Sequence, residues 1–347
     1  VQLTWQTLSL STTFPFVIAR WGYAGHQNVI VTITDDDGYV GQGEAAPNRY
    51  YGESVDSVIA ALQRFAPVLS EVYDDSWSLE ALDAALLAVL RGNASARAAV
   101  SAALHDLRAK RLDLPVYKMW GLGETPTPLS SYTIGIANDE GLRERVRAAD
   151  EYPILKIKLG TDRDEAIVRT VREAAPDKRL RVDANAAWTP KYAVRMAEIL
   201  RDYQVESIEQ PVDAKDLDGL RYVHLNAALP IIADESCLVA SDIPALAGRC
   251  DGINIKLAKC GSLREALRMV HVARAHYLRV MAGCMIETSL GISAVAQIAP
   301  LLDDADFDGA VLLADDPYTG VTIPRGRVTL SRAPGLGALP VSAAATP

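Results

Sequence analysis

The chain has 347 residues, 49% of them apolar, and a formal net charge of −9. Its length suits two domains rather than one core, and its acidity argues against nucleic acid or an anionic membrane as partner while leaving a small anionic substrate open. No run of 18 apolar residues offers a membrane span, and no basic-then-apolar leader opens the chain. With Val1 in place of Met, a residue or two is expected upstream. Cys237, Cys250, Cys260 and Cys284 form no C-x-x-C pair and read as buried, reduced thiols of a cytoplasmic protein.

Residues 1 to about 45 read as strands. The β-rich run from Asn28 to Thr34 meets the turn signal Asp35-Asp36-Asp37-Gly38 and then Tyr39 to Ala45, which predicts a hairpin with no intervening helix. Apolar spacing predicts helices over 54–66, 79–92 and 94–112, the last rich in alanine and closed near Pro115. After Pro126-Thr127-Pro128 the rhythm changes. Strands are predicted to begin near 131, 154, 180, 205, 230, 251, 279 and 305, with helices at 162–175, 190–203, 217–226, 262–276 and 289–301. This alternation predicts a (β/α)8-type barrel behind an N-terminal α+β capping domain. The expected division is 1–125, 126–324, and a tail over 325–347 that returns to the capping domain or hangs free.

The chemistry lies at the strand ends. Lys156 and Lys158 share one face of the buried-looking run Ile154 to Leu159, and two such cations need anionic partners. Asp183, Glu209 and Asp234 end the next three strand-like runs, and Lys256 ends the one after. The groups recur about every 25 residues, close to one βα unit, at the end of the barrel where active groups collect. Three carboxylates without a histidine or cysteine make an oxygen-only site that suits Mg²⁺ or Mn²⁺. Lys158 and Lys256, on the second and sixth strands, face each other across the barrel. A neighbouring cation and desolvation should depress their pKa values, so that one removes a proton and the other returns one. Lys156 reads as the electrostatic partner of a developing enolate. Asn185 shares the face of Asp183 and could fix a ligand or a water, while Lys259, expected in a loop, ranks second to Lys256 as the base.

Lys156-x-Lys158, Val182-Asp183-Ala184-Asn185, Ile208-Glu209-Gln210-Pro211, Ala233-Asp234-Glu235-Ser236 and Asn254-Ile255-Lys256-Leu257 resemble signatures of the enolase superfamily, in its muconate-lactonizing subgroup. The resemblance covers nearly the whole chain. It implies Mg²⁺ on Asp183, Glu209 and Asp234 and an acid/base pair of Lys158 and Lys256. A late barrel histidine, as in the mandelate-racemase branch, is absent from Arg279 to Met285. Gly283-Cys284-Met285-Ile286-Glu287-Thr288 is similar to the seventh strand end of dipeptide epimerases, and Asp306-Phe307-Asp308 to the Asp-x-Asp with which they hold a dipeptide's α-ammonium. Asp306, Asp308, Arg20, Trp21, Tyr51, Thr133, Asn185, Met285 and Glu287 are therefore the expected substrate contacts. One departure bears on specificity: Trp21 stands where Ala-Glu epimerases carry a lid arginine, and Arg20 is displaced by one position. That admits an apolar, aromatic or basic C-terminal residue.

The resemblance thus implies a Mg²⁺-dependent epimerase of small dipeptides working through an enolate. The same site also serves o-succinylbenzoate synthases, N-succinylamino acid racemases and muconate cycloisomerases, which have no use for an ammonium clamp, and a catalytically silent barrel is the reading from another class. Barrels of this kind commonly form homo-oligomers, and no interface is legible in the sequence.

Overall fold

The computed structural model describes residues 1–23, 25–72 and 78–341; the last six residues of the expected tail lie outside them. Among the described residues, no helix is long and apolar enough to cross a membrane. Five strands open the chain: Gln2–Leu10 (β1), Phe16–Ile18 (β2), Trp21–Tyr23 (β3), His26–Thr34 (β4) and Val40–Ala45 (β5). β1, β4 and β5 form an antiparallel sheet. The turn between β4 and β5 is the expected one: Asp35 Oδ1 accepts from the backbone N–H groups of Asp37 and Tyr39, and Gly38 takes the left-handed φ of 85°. β2 and β3 form a separate two-stranded hairpin turned at Ala19 and Arg20.

Three helices back the sheet: Val55–Val72 (α1), Leu79–Val89 (α2) and Ala94–Arg111 (α3). α1 outruns its predicted end at 66 and passes through Pro67, because Phe65 and Leu69 on either side are fully buried in the core of this domain. α3 is buried on every side from Ser95 to Ala109. It can be, because its alanines meet glycines. A Cβ on Gly41 would lie 2.0 Å from the Ala103 carbonyl oxygen, and one on Gly43 would lie 2.1 Å from that of Ala99. The two glycines let β5 press directly on the helix backbone.

Beyond the short helix Val116–Met119 (α4) comes a ring of eight parallel strands. They are Tyr132–Ile134 (β6), Ile154–Lys158 (β7), Arg179–Asp183 (β8), Val205–Glu209 (β9), Ile231–Ala233 (β10), Gly252–Ile255 (β11), Arg279–Gly283 (β12) and Asp304–Asp306 (β13). The ring closes through a parallel bridge from Ser130 to Ala305. Asp139–Ala148 (α5), Asp164–Ala174 (α6), Pro190–Asp202 (α7), Leu217–Asn226 (α8), Ile243–Leu246 (α9), Leu257–Cys260 (α10), Leu263–Ala275 (α11) and Ser289–Ala296 (α12) alternate with the strands. α12 stops short of its predicted end at 301, where a 3₁₀ turn takes over around Pro300. The fold is therefore a (β/α)8-type barrel with an N-terminal α+β domain.

Two buried carboxylates join the parts. Glu44, near the end of β5, accepts from the Thr288 and Gly291 amides at 3.1 and 3.0 Å and from the Thr288 hydroxyl at 2.5 Å. These groups lie at the start of α12, where an anion is favoured. Asp106 in α3 accepts from the amides of Gln42 and Leu336 at 2.9 and 2.8 Å, and Val116 N donates to Gly335 O.

Gly43→Ala is expected to destabilise the protein by about 3 kcal/mol, the upper range for an overpacked core. A urea midpoint equal to wild type would remove the close β5–α3 contact as a constraint on the fold.

Candidate active site

Strand alternation turns Lys156 and Lys158 inward from β7, level with Arg181 and Asp183 of β8. Lys156 Nζ lies 2.8 Å from Glu209 Oε2, 2.8 Å from Asp306 Oδ2 and 3.4 Å from Asp183 Oδ2, and the side chain is 1% exposed. Burial by itself would discharge it, but the three carboxylates outweigh burial and hold its pKa well above that of a free lysine. Lys158 Nζ reaches Asp183 Oδ2 at 2.7 Å, and Lys256 Nζ reaches Asp234 Oδ2 at 2.7 Å. β7 and β11 are four places apart in the ring of eight, so the two lysines enter from opposite walls.

Asp183, Glu209 and Asp234 are buried, and one oxygen from each lies within 4.8 Å of the others. Burial pushes Asp183 and Asp234 up, but their lysine partners outweigh it and hold both below the usual carboxylate range. Burial wins at Glu209, which rises to about 7. The donor set is all oxygen, pre-aimed by its neighbours. Asn185, at a left-handed φ of 46°, donates its backbone N–H and its amide to Asp183, and Asn254 donates to Glu209 Oε1 at 2.9 Å. Three converging carboxylate oxygens fit a hard divalent cation.

Lys256 was expected to be depressed by a neighbouring cation and by desolvation. Burial does lower it, but in the polypeptide itself the attraction of Asp234, 2.7 Å away, and of Glu209 prevails, so its pKa is raised.

Lys259 was expected in a loop. It sits on α10, fully buried, with Nζ bonded to Asp234 Oδ1 at 2.5 Å and to the carbonyls of Asp234, Asn254 and Cys237 at 2.6, 2.8 and 3.1 Å. An ammonium with four acceptors is a brace for Asp234.

The acidic run 303–308 is built into the barrel. Arg181 and Arg279 grip Asp304 at 2.6 and 2.7 Å, and Arg274 bonds Asp303 at 2.6 Å. Asp306 and Asp308 face a cavity of about 180 Å³ at the barrel mouth. They are unequal. Asp306 is engaged by Lys156 on one oxygen and by the Ser131 hydroxyl on the other, 2.6 Å away. Asp308 accepts from Thr133 N at 2.5 Å and is raised to about 7 by burial and by Asp306.

The same cavity brings together Lys158, Lys256, Asp234, Asn185, Thr133, Met285, Arg20, Trp21 and Tyr51. Lys156, Asp183 and Glu209 lie beneath it, within the contacts given above. Glu287 does not line it. That carboxyl is buried, accepts from Met285 N at 2.8 Å, and is raised to about 7 by burial and by Glu44. Arg20 drops from the β2–β3 turn to Glu235 Oε1 at 2.5 Å and Asn185 O at 2.9 Å, and stacks 4.0 Å from the Tyr50 ring centre.

Sequence reasoning gave no role to Ser131, Asn254 and Glu235. The first two were within reach, because each stands two residues from a predicted site residue on the same strand face. Glu235 pairs with a residue 215 positions away, and no local pattern signals that.

A closed barrel whose mouth holds three convergent carboxylates between opposed lysines defines the class of metal-assisted acid/base enzymes. Comparison agrees. Residues 3–121 match the N-terminal domain of mandelate racemase and muconate lactonizing enzyme, and residues 141–343 match the enolase C-terminal domain-like model. The chain is 38% identical to an L-Ala-D/L-Glu epimerase of Bacteroides thetaiotaomicron, over 98% of this chain and 88% of that protein. It is 38% identical to a hydrophobic dipeptide epimerase of Roseobacter litoralis, over 97% and 98%. A dipeptide epimerase from Enterococcus faecalis, solved with Mg and L-Leu-L-Tyr, superposes with a TM-score of 0.91 at 33% identity, covering 97% of this chain and 98% of that one. The chain belongs to the mandelate racemase/muconate lactonizing enzyme family of the enolase superfamily.

Lys259→Met is expected to destabilise the fold by about 3–5 kcal/mol, because it removes the buried ammonium that Asp234 Oδ1 and three carbonyls share. Urea denaturation measures this, and a wild-type midpoint would show that the brace carries no stability.

Proposed function

We propose that the protein is a Mg²⁺-dependent dipeptide epimerase, which moves a proton between the two faces of the α-carbon of a dipeptide's C-terminal residue. The observation that carries this reading is a single cavity holding lysines on opposite walls and a carboxylate pair, Asp306 and Asp308, beside them. Similarity to dipeptide epimerases over almost the full chain supports it.

Asp183, Glu209 and Asp234 are the residues that would hold Mg²⁺, or Mn²⁺ through the same oxygens. When bound, the cation neutralises the substrate carboxylate and so acidifies the neighbouring α-proton. The chain's own groups do the rest. Lys158 or Lys256, whichever faces the α-proton of the bound stereoisomer, takes that proton as the amine, the form that a cation held by the same carboxylates would favour. The other delivers one from its ammonium to the opposite face, which inverts the carbon. Lys156 keeps its charge under the pressure of its three carboxylates and offsets the negative charge that develops above it. Asp308, with Asp306 partly shared with Lys156, receives the substrate's α-ammonium. Thr133 fixes Asp308, and Asn185 fixes Asp183. Met285 walls the cavity, and Glu287 sets the backbone of Met285. Arg20, Trp21 and Tyr51 roof the site and exclude water. This reading assigns residues 1–125 to the lid, 126–324 to the chemistry, and 325–347 to a return segment.

Proton NMR in D₂O with Mg²⁺ and a panel of L,L-dipeptides tests the reading. Exchange of the C-terminal residue's α-proton with inversion is expected. Lys158→Ala and Lys256→Ala should each lower epimerisation by about 10²–10⁴-fold, while one configuration still exchanges without inverting in each variant. A folded protein that leaves every dipeptide α-proton in place would refute the proposal.

Mg²⁺ should also raise the thermal midpoint of the wild type and leave that of Glu209→Gln unmoved. Equal shifts in both would take the cation away from these carboxylates.

A further inference from the structure

The roof of the cavity carries information about which dipeptide enters. This inference rests on the proposed function and narrows its substrate class. With the carboxylate toward Asp183, Glu209 and Asp234, the nitrogen toward Asp306 and Asp308, and the proton positions toward the two lysines, one direction remains for the C-terminal side chain. It points out of the barrel mouth on the side of the carboxylate triad. There the roof consists of Arg20, Glu235, Tyr50 and Tyr51, with Asn185 between them and the triad.

Arg20 is the only cation in this roof among the described cavity-lining residues, and it is already committed. Its guanidinium pairs with Glu235, whose side chain is 1% exposed, donates to the Asn185 carbonyl, and lies flat against Tyr50. An acidic substrate side chain would have to break an ion pair whose carboxylate is buried and then sit beside Glu235, near Asp234. Arg20 and Glu235 cancel in charge, and the surfaces left are the rings of Tyr50 and Tyr51, packed edge to face at 5.0 Å, while Trp21, 5.5 Å from the Arg20 guanidinium, has the Arg49 guanidinium 3.9 Å from its ring centre.

We infer that the protein acts on dipeptides with an uncharged apolar or aromatic C-terminal residue, and that Glu235 determines this specificity by neutralising Arg20. Glu235 is a positioning residue here, acting on substrate through Arg20. A basic side chain is the rival occupant, because Glu235 Oε2 has no hydrogen-bond partner among the described residues. Against it, a second cation would face Arg20 across the same carboxylate.

The experiment compares kcat/KM of the Mg²⁺-loaded protein for L-Ala-L-Phe, L-Ala-L-Leu, L-Ala-L-Glu and L-Ala-L-Lys. The wild type should favour Phe and Leu over both charged residues by about tenfold or more, the worth of one charged hydrogen bond. Glu235→Gln should release Arg20 and move the Phe:Glu ratio by about tenfold toward Glu, chiefly through KM. Arg20→Met combined with Glu235→Gln removes both charges together and should leave that ratio within about threefold of wild type, since neither charge reads the substrate. This second variant also serves if the single one fails to fold. A wild type that prefers L-Ala-L-Glu, with the double variant losing Glu turnover selectively, overturns the inference and leaves the epimerase reading intact. Preference for L-Ala-L-Lys overturns it in the same way. No exchange with any dipeptide overturns both.

Discussion

The barrel is organised around one buried ammonium. Lys156 Nζ sits among Glu209, Asp306 and Asp183, on strands from both sides of its own. Without that charge, carboxylates from β8, β9 and β13 would converge in a low-dielectric interior, and their mutual repulsion would favour neutral forms. With it, Asp183 and Asp306 are held below the usual carboxylate range, and the rise of Glu209 is opposed. The cost of burying the lysine is offset only because every acceptor is in place, so the same contacts that stabilise the barrel also fix the geometry of the site. The charge pairing extends further along the strands: Arg181, opposite Lys156 in the β7–β8 register, pairs with Asp304, two residues before Asp306.

The capping domain is placed by a different device. Glu44 reaches from β5 into the start of α12, and Asp106 reaches from α3 to Leu336. Both carboxylates are buried and accept from backbone amides, joined by Asn28 and the Thr288 hydroxyl at Glu44 and by Lys110 at Asp106. The roof of the cavity hangs from that anchored domain through the β2–β3 hairpin, whose Val17 carbonyl accepts from Ile136 N of the barrel. On the proposed reading the barrel floor handles the proton, and the hairpin, the residues near Tyr50 and the barrel residue Glu235 select what lies over it.

Much of this was legible in the chain. The eight strand starts and the lysines and carboxylates at their ends follow from alternation and spacing, because a βα unit repeats its geometry and puts like positions at one mouth. Local rules also misled. α1 runs through Pro67 because buried neighbours on both sides outweigh the lost hydrogen bond. Lys259 looked like a loop residue because one short helical turn has no periodicity to detect. Glu287 shared a segment with Met285, yet its side chain packs toward Glu44 and away from the cavity.

The sequence by itself determined the barrel, the carboxylate triad and the opposed lysines, since each depends on residue type and on spacing within one strand or one repeat. The partnerships that tune the site were decided only by the tertiary structure. Asp306 serves Lys156 from 150 positions away, Asn254 steadies Glu209, and Arg20 surrenders its charge to Glu235. A side chain's charge is written in the sequence. Whether that charge is available depends on which other charge the fold has brought within hydrogen-bonding distance.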